Sequence, residues 1–193
     1  MKTIKILFVS FLLINLFTEL KAQKGEIYPD FPESFEKKSD DEAGYKKKSI
    51  TLKSGVWTMY GARIDNFEND KPVTGTCAVR MVGNNTNDGY LRTDFDLEEG
   101  ASKVTFWYSS YAAKADKSCK FRLDYSTDGG KKWKQVGEVI EAKSKVKQQA
   151  EFPLDIEGKV RFRIVKLGLG DDKQDPSINN GRLSIDDFVV YKK

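Results

Sequence analysis

Four arginines occupy polar positions in segments where apolar and polar residues alternate: Arg80, Arg122, Arg161 and Arg163. Alternate residues of a strand point to opposite faces of a sheet, so these side chains should project outward. A planar guanidinium binds anions through paired hydrogen bonds, and an exposed aromatic ring stacks on sugars or bases. We therefore predict a polar groove with an aromatic platform, formed by Trp107, Tyr111, Arg80, Arg122 and Asp124. A cross-strand ladder of ion pairs is the alternative.

The absence of histidine limits the chemistry that this chain of 193 residues can perform. It excludes nucleophilic Ser-His and Cys-His machinery and zinc sites that contain histidine. A small glycosidase remains an alternative, because it needs only two carboxylates about 5–10 Å apart across one cleft. The composition therefore favours a protein that binds over one that catalyses.

The first 22 residues have the three-part pattern of a secretory signal peptide. Lys2 and Lys5 precede an apolar run over residues 6–17, and Ala22 is a plausible cleavage point. Twelve residues make about 18 Å of helix, too short for a hydrocarbon core of about 30 Å. We expect an exported protein (periplasmic, attached to the cell surface, or secreted) without stable membrane insertion, whose residues 23–193 form one domain.

The charge of the mature chain is nearly balanced. Removing residues 1–22 takes away three lysines and one glutamate, so the net charge falls from +4 to +2. A basic patch is the usual electrostatic signature of nucleic-acid binding. We therefore expect no nucleic acid among the partners.

Period-two alternation predicts an all-β protein. Eleven strands are expected near residues 33–36, 48–53, 56–64, 76–82, 89–97, 102–111, 119–126, 133–140, 148–154, 159–167 and 182–191. In the last of them Leu183, Ile185, Asp187, Val189 and Tyr191 form one alternating set. Many short strands separated by turn-forming residues predict a two-sheet β-sandwich of the jelly-roll type.

The two cysteines, Cys77 and Cys119, both fall at positions that should face the core. In an exported protein they predict a disulfide bond. The alternative is a pair of buried free thiols, because the geometry that a disulfide requires cannot be obtained from sequence.

A turn-like segment, Ser126–Trp133, has the pattern Ser-x-Asp-x-Gly-x-x-Trp. It resembles the Asp-box of sialidase-type propellers. A propeller needs several four-stranded blades, which about 170 residues cannot supply. We therefore expect the segment to form a local hairpin turn and predict no sialidase activity.

An ordered set of short segments resembles a domain type common in secreted proteins of Bacteroidetes bacteria. The segments include residues 33–36 (Glu-Ser-Phe-Glu), 160–164 (Val-Arg-Phe-Arg-Ile) and 183–188 (Leu-Ser-Ile-Asp-Asp-Phe). The last is similar to the closing strand of cleaved-adhesin and MAM-like jelly rolls, a galactose-binding-like architecture. The whole order is similar to accessory domains of secreted nucleases from those bacteria. The resemblance implies a binding or accessory role without nuclease chemistry.

The same resemblance implies a structural calcium ion where the first and last strands meet. Calcium takes 6–8 oxygen ligands, mostly from carboxylates and carbonyls. The matching acids are Glu36, Asp186 and Asp187, with Asp65 and Asp70 as further candidates. The alternative is that these are ordinary surface acids and turn caps.

The expected function is that of an exported, non-catalytic β-sandwich that binds a glycan or another extracellular polymer. The alternative is a structural or protein-interaction accessory subunit of a secreted enzyme or surface complex. The expected partner is therefore a glycan or an extracellular or cell-surface protein.

Overall fold

Two antiparallel sheets make up the fold of the computed structural model, which describes residues 25–39, 42–175 and 177–193. This confirms the predicted all-β, two-sheet jelly-roll sandwich. The predicted signal peptide and its cleavage point after Ala22 lie outside the described residues. Within the described ranges, no helix has the length and apolar character needed to cross a membrane.

The strands are numbered in chain order. From edge to edge, the six-stranded sheet contains β1 (Lys48–Leu52), β2 (Gly55–Tyr60), β5 (Gly89–Thr93), β10 (Arg161–Lys166), β7 (Cys119–Ser126) and β8 (Lys134–Ala142). The five-stranded sheet contains β3 (Ala62–Asp65), β4 (Ala78–Met81), β11 (Leu183–Tyr191), β6 (Ala101–Ser110) and β9 (Gln148–Ile156). Two short 3₁₀ helices cover Glu68–Asp70 and Gly170–Gln174.

An aromatic cluster centred on Phe188 fills the space between the sheets. Its ring lies 5.4 Å from that of Trp57, 5.8 Å from Phe106 and 6.4 Å from Phe162, measured between centroids. All four side chains are fully buried. Side chains from the inner faces of both sheets therefore interdigitate in one core, as in other β-sandwiches.

Gly61 divides the strand predicted over residues 56–64 into β2 and β3, which belong to different sheets. Its φ of 66° lies in the left-handed region, which glycine adopts without a steric penalty. Residues 33–36 also differ from the prediction, because they form only a single bridge between Glu33 and Phe188. Alternation predicted extended backbone in both places but could not predict which sheet would accept it.

A β-bulge shifts the register of the last strand between Asp186 and Val189. Asp187 has a φ of 47°, and Phe188 points into the core where strict alternation predicted Asp187. An extra residue in one strand moves every later side chain to the opposite face. The single alternating set predicted through Tyr191 is therefore wrong beyond Ile185.

The expected disulfide between Cys77 and Cys119 is not formed, and both residues are buried free thiols. Cys77 precedes β4 at the end of the sandwich near Asp187, whereas Cys119 follows Ser118, whose carbonyl accepts from the amide of Gly181. Residues 181 and 187 are six positions apart, about 20 Å of strand. The two cysteines thus lie at opposite ends of the sandwich, too far apart for a bridge.

The segment Ser126–Trp133 forms a local hairpin turn, as predicted. The Asp128 carboxylate accepts hydrogen bonds from the amides of Lys131 and Lys132 at 3.0 and 2.9 Å. The Ser126 hydroxyl accepts from Gly130 at 2.9 Å, and the Trp133 indole donates to the Gly130 carbonyl at 3.0 Å. Its polar side chains thus satisfy the turn itself, which is a structural role.

Candidate functional site

The five residues predicted to form one groove are divided between the two sheets. Arg80, Trp107 and Tyr111 lie on or beside the five-stranded sheet, whereas Arg122 and Asp124 lie on β7 of the six-stranded sheet. Their outward faces point in opposite directions, away from the common core. A groove that joins Trp107 to Arg122 is therefore not formed, because consecutive strands β6 and β7 belong to different sheets.

Arg122 and Asp124 belong to a ladder of ion pairs, the predicted alternative to a ligand groove. The buried Asp124 carboxylate accepts from Arg122 Nε at 3.0 Å and from Arg163 Nε at 2.9 Å. The Arg163 guanidinium also lies 4.6 Å from the centre of the Trp133 ring. The Nε donors of Arg122 and Arg163 thus bind Asp124 within the sheet. A ligand role for Arg122 and Asp124 stays a prediction.

Trp107 lies half-buried on the outward face of the five-stranded sheet. Its partners in the neighbouring strands are Asp186 of β11 and Gln149 of β9. Asp186 is fully buried there. The tryptophan has some exposed surface for a ligand, and this role stays a prediction.

Arg80 is the centre of a buried polar network on the same face. Its side chain donates to the hydroxyls of Tyr45 and Tyr111, at 3.0 and 3.1 Å, and forms ion pairs with Asp65 at 3.3 Å and Asp70 at 3.5 Å. The residue is 4% exposed. Arg80 therefore cannot contact a ligand directly, and it positions the two tyrosines instead.

The Asp70 carboxylate is fully buried, and neither of its oxygens has a hydrogen-bond partner in the part of the chain that the structure describes. Burial raises the pKa of Asp70 to about 6, against the opposing attraction of Arg80. A buried carboxylate without hydrogen bonds depends on its ion-pair partner for stability. Arg80 thus compensates for the buried negative charge of Asp70.

Tyr111 links this network to a second pair of charged residues at the surface. Its ring centre lies 3.9 Å from the guanidinium carbon of Arg182, which forms a two-point contact with the Asp116 carboxylate. Burial raises the pKa of Asp116, but hydrogen bonds from Arg182 outweigh this and hold it below its usual value. The pair is therefore ionised at neutral pH and fixed in orientation.

Asp116 and Arg182 form one wall of a cleft of about 530 Å³ at the end of the sandwich. The cleft lies between four loop segments, and its lining consists of Tyr45, Val82, Gly83, Asn84, Ala115, Asp116, Lys117, Ile178, Asn179, Asn180, Gly181 and Arg182. Its size is in the range of known small-molecule sites. Buried Arg80 and Tyr111 lie behind it and hold Tyr45 and Arg182 in place.

Lys166 supports the same end of the sandwich from within. Its ammonium group is fully buried and donates to the side-chain carbonyls of Asn85, at 2.7 Å, and Asn180. Burial lowers the pKa of Lys166 to about 8. One buried cation therefore ties together the loops that carry these two asparagines.

The sequence prediction missed the residues that form the cleft. Tyr45 lies within residues 36–47, a charged segment expected to hold one helical turn at most. Arg182 stands out in the sequence only as an arginine at a strand edge. The turn-forming pairs Asn84-Asn85 and Asn179-Asn180 did predict loops at these places. Local pattern contains no signal that these loops converge.

Comparison with solved structures places this architecture among known folds. The chain shares its jelly-roll fold with cleaved adhesin domains. The likeness to the K2 cleaved adhesin domain of Lys-gingipain covers 86% of this chain and 99% of that domain, with 17% identity and a TM-score of 0.54. Another cleaved adhesin domain of Lys-gingipain, from Porphyromonas gingivalis, matches 83% of this chain and 96% of its own length, with 16% identity and a TM-score of 0.51.

A carbohydrate-binding tandem is similar as well. The N-terminal CBM22-1–CBM22-2 tandem of Xyn10C from Paenibacillus barcinonensis matches 89% of this chain and 46% of its own length, with 13% identity and a TM-score of 0.51. No protein-family model and no curated protein matches the sequence. At these identities the likeness shows the fold alone.

The three acids expected to bind calcium all hold the loop that precedes β4. Glu36 accepts from the amides of Thr76 and Cys77 at 2.9 and 3.2 Å. Asp186 accepts from the amide of Thr74 at 3.3 Å, and Asp187 accepts from its hydroxyl at 2.6 Å. The three acids therefore lie in one region of the fold.

The acids of this region also have partners within the protein. Among the described residues, no three acidic, cysteine or histidine side chains are arranged to hold a metal ion. Asp65 and Asp70 are paired with Arg80. Lys147 already provides a positive charge beside Asp70 and Asp186, so these acids have cationic neighbours within the protein itself.

Calcium binding by Glu36, Asp186 and Asp187 stays a prediction of the resemblance. If it occurs, excess chelator should lower the melting temperature, and calcium should restore it more than magnesium does. At a free calcium concentration 100 times its dissociation constant, the stabilisation is about 2.7 kcal/mol. Asp187→Asn should weaken the response. An unchanged melting curve after confirmed removal of metal would show that the acids only anchor the loop.

Proposed function

We propose that this chain is an exported, non-catalytic module that binds a glycan or another extracellular polymer in the cleft beside Tyr45. The observation that carries the proposal is an open cleft in which a tyrosine and a fixed Arg182–Asp116 pair lie side by side. A sugar presents hydroxyls, which both donate and accept hydrogen bonds, and an apolar ring face. Arg182 can donate to such hydroxyls, Asp116 can accept from them, and Tyr45 can pack against the ring.

Preorganisation supports this assignment. The buried Arg80 fixes the hydroxyl of Tyr45, and the ring of Tyr111 packs against Arg182. Side chains that are already ordered lose little conformational entropy when a ligand binds. Adhesin domains and a carbohydrate-binding tandem share the fold, which is consistent with a binding role.

Catalysis is not the function that the cleft supports. Among the described lining residues Asp116 is the one carboxylate, and Arg182 holds it in the ionised form. A glycosidase needs a second carboxylate, and one of the two must keep its proton to act as an acid. We therefore expect no sugar or nucleotide to be released from any polymer that the protein binds.

The experiment uses residues 23–193, the chain expected after cleavage at Ala22. Retention is measured on insoluble xylan, arabinoxylan and β-1,4-galactan, with Tyr45→Ala as the main variant. We expect at least one of the polymers to retain the protein. Tyr45→Ala should weaken this binding by about tenfold or more. N-terminal sequencing of protein recovered outside the cell tests the export and the cleavage point.

Trp107→Ala is the matched control, since it removes an aromatic side chain from the outward face of the five-stranded sheet and leaves the cleft intact. It should leave retention unchanged. Binding that is lost in Trp107→Ala and kept in Tyr45→Ala would show that the binding site lies on that outward face. The proposal would be overturned if none of the three polymers retained the wild-type protein.

A specific feature favours the second candidate, an accessory or protein-interaction subunit of a secreted enzyme or surface complex. Phe67 and Val73, in the loop between β3 and β4, are 51% and 41% exposed. Two apolar side chains exposed in one loop can contribute to a surface that contacts another protein. Capture of one defined protein partner that is lost in Phe67→Ser, with no polymer retained, would favour this function.

A further inference from the structure

A second cleft, of about 300 Å³, adjoins the first. The two clefts share Tyr45 and Val82, so the tyrosine stands between them. The remaining lining of the second cleft consists of Tyr60, Gly61, Asn85, Thr86, Asn87 and Gly89. Every side chain in this lining is uncharged, whereas the first cleft contains Asp116, Lys117 and Arg182.

Two glycines let the backbone segments at the floor of this cleft approach each other closely. A Cβ atom on Gly61 would lie 3.2 Å from the Cα of Gly89, and one on Gly89 would lie 3.1 Å from the carbonyl oxygen of Tyr60. The Gly61 amide donates to the carbonyl of Tyr45 at 2.9 Å, and its carbonyl accepts from the amide of Val82 at 2.8 Å. The backbone that forms the floor of the second cleft is thus bonded to the two residues shared with the first.

The buried Lys166 couples the walls of the clefts. It donates to Asn85, which lines the second cleft, and to Asn180, which lines the first. The Asn180 side-chain amide also donates to the Asn85 side-chain oxygen Oδ1 at 3.2 Å. The two amide side chains are therefore held in fixed positions relative to each other, one in each cleft.

We propose that the two clefts form one binding surface for a linear glycan, with neighbouring sugar units on either side of Tyr45. This inference rests on the proposed function and names its ligand class as an internal stretch of a chain. The uncharged second cleft, with a tyrosine ring, amides and a threonine hydroxyl, suits a neutral sugar unit. The first cleft, with its ionised Arg182–Asp116 pair, makes the stronger polar contacts.

The test measures how affinity depends on chain length. The probes are oligosaccharides of one to six units, prepared from whichever of xylan, arabinoxylan or β-1,4-galactan the wild-type protein retains. Affinity should increase by about tenfold or more once the chain is long enough to reach both clefts. Two exposed small residues provide blocking variants: Ala115→Trp fills the first cleft and Thr86→Trp fills the second.

Thr86→Trp should abolish the gain with length and leave the affinity for the shortest bound oligosaccharide unchanged. Ala115→Trp should weaken all lengths. Thr127→Trp, in the exposed hairpin turn, is the control for adding a surface tryptophan and should behave as wild type.

The two proposals fail in different ways. Retention of no polymer, or retention that Tyr45→Ala does not weaken, overturns the proposed function. Retention that depends on Tyr45, with equal affinity for one unit and for six or with no effect of Thr86→Trp, overturns only the two-cleft surface.

Discussion

Replacement of Arg80 by methionine is expected to reduce the free energy of unfolding by about 3–5 kcal/mol and to abolish binding at the cleft. Methionine fills similar space without a charge. It would leave the Asp70 carboxylate buried without its ion-pair partner and remove the donors that hold Tyr45 and Tyr111. Denaturant unfolding at neutral pH measures the stability, and polymer retention at a temperature where the variant is folded measures the binding.

Two further variants separate stability from positioning. Adding Asp70→Asn to Arg80→Met removes the unpaired charge and should recover part of the stability but none of the binding. Arg80→Lys keeps a cation near Asp70 but cannot reproduce the planar fork that reaches both tyrosines. It should therefore remain folded and bind weakly. Full binding by Arg80→Lys would show that Arg80 only compensates charge and does not position the cleft.

The stability contributed by Lys166 is expected to increase by about 2 kcal/mol between pH 7 and pH 9.5. Its pKa is about 8 in the folded protein, against a usual value of 10.5, because burial disfavours the charged ammonium. Between these values the unfolded chain binds more protons than the folded one, so stability increases with pH. Below pH 8 the full desolvation penalty applies, and above pH 10.5 no further gain remains.

The Lys166→Met variant isolates this contribution from other groups that titrate in the same range. The free energy of unfolding of both proteins is measured across the pH range. The value for the wild type, relative to that for Lys166→Met, should increase as the pH rises. The carboxylates whose charge acts on Lys166 are those of Asp116 and Asp88. Cys119 also acts on it, but burial raises the pKa of that thiol to about 11, beyond the range. A difference that does not vary with pH would show that Lys166 titrates normally.

Local sequence determined most of the strands, because alternation reflects a two-faced environment wherever a strand has one face in the core. Phe106, Phe121 and Phe162 are buried as their parity predicted. The errors occur where the chain changes sheet or register, at Gly61 and at the Asp187 bulge. Both depend on which neighbour a strand finds, and that neighbour lies far away in sequence.

The sequence also determined which side chains have the functional groups to bind a ligand, but not which of these side chains lie close together. Arg80 and Tyr111 were predicted to contact a ligand, and the structure places them behind the cleft, where burial makes them positioning residues. Trp107 and Arg122 share an outward parity, yet they lie on opposite sheets.

Only the tertiary structure decided the location of the candidate site. Tyr45, Asp116 and Arg182 come from three separate parts of the chain, and they line one cleft because four loop segments converge at one end of the sandwich. Loop conformation is set by long-range contacts, such as those of Lys166 with Asn85 and Asn180, rather than by local periodicity. The sequence alone therefore predicted a β-sandwich with a binding role, and the packing of its loops determined where a ligand could bind.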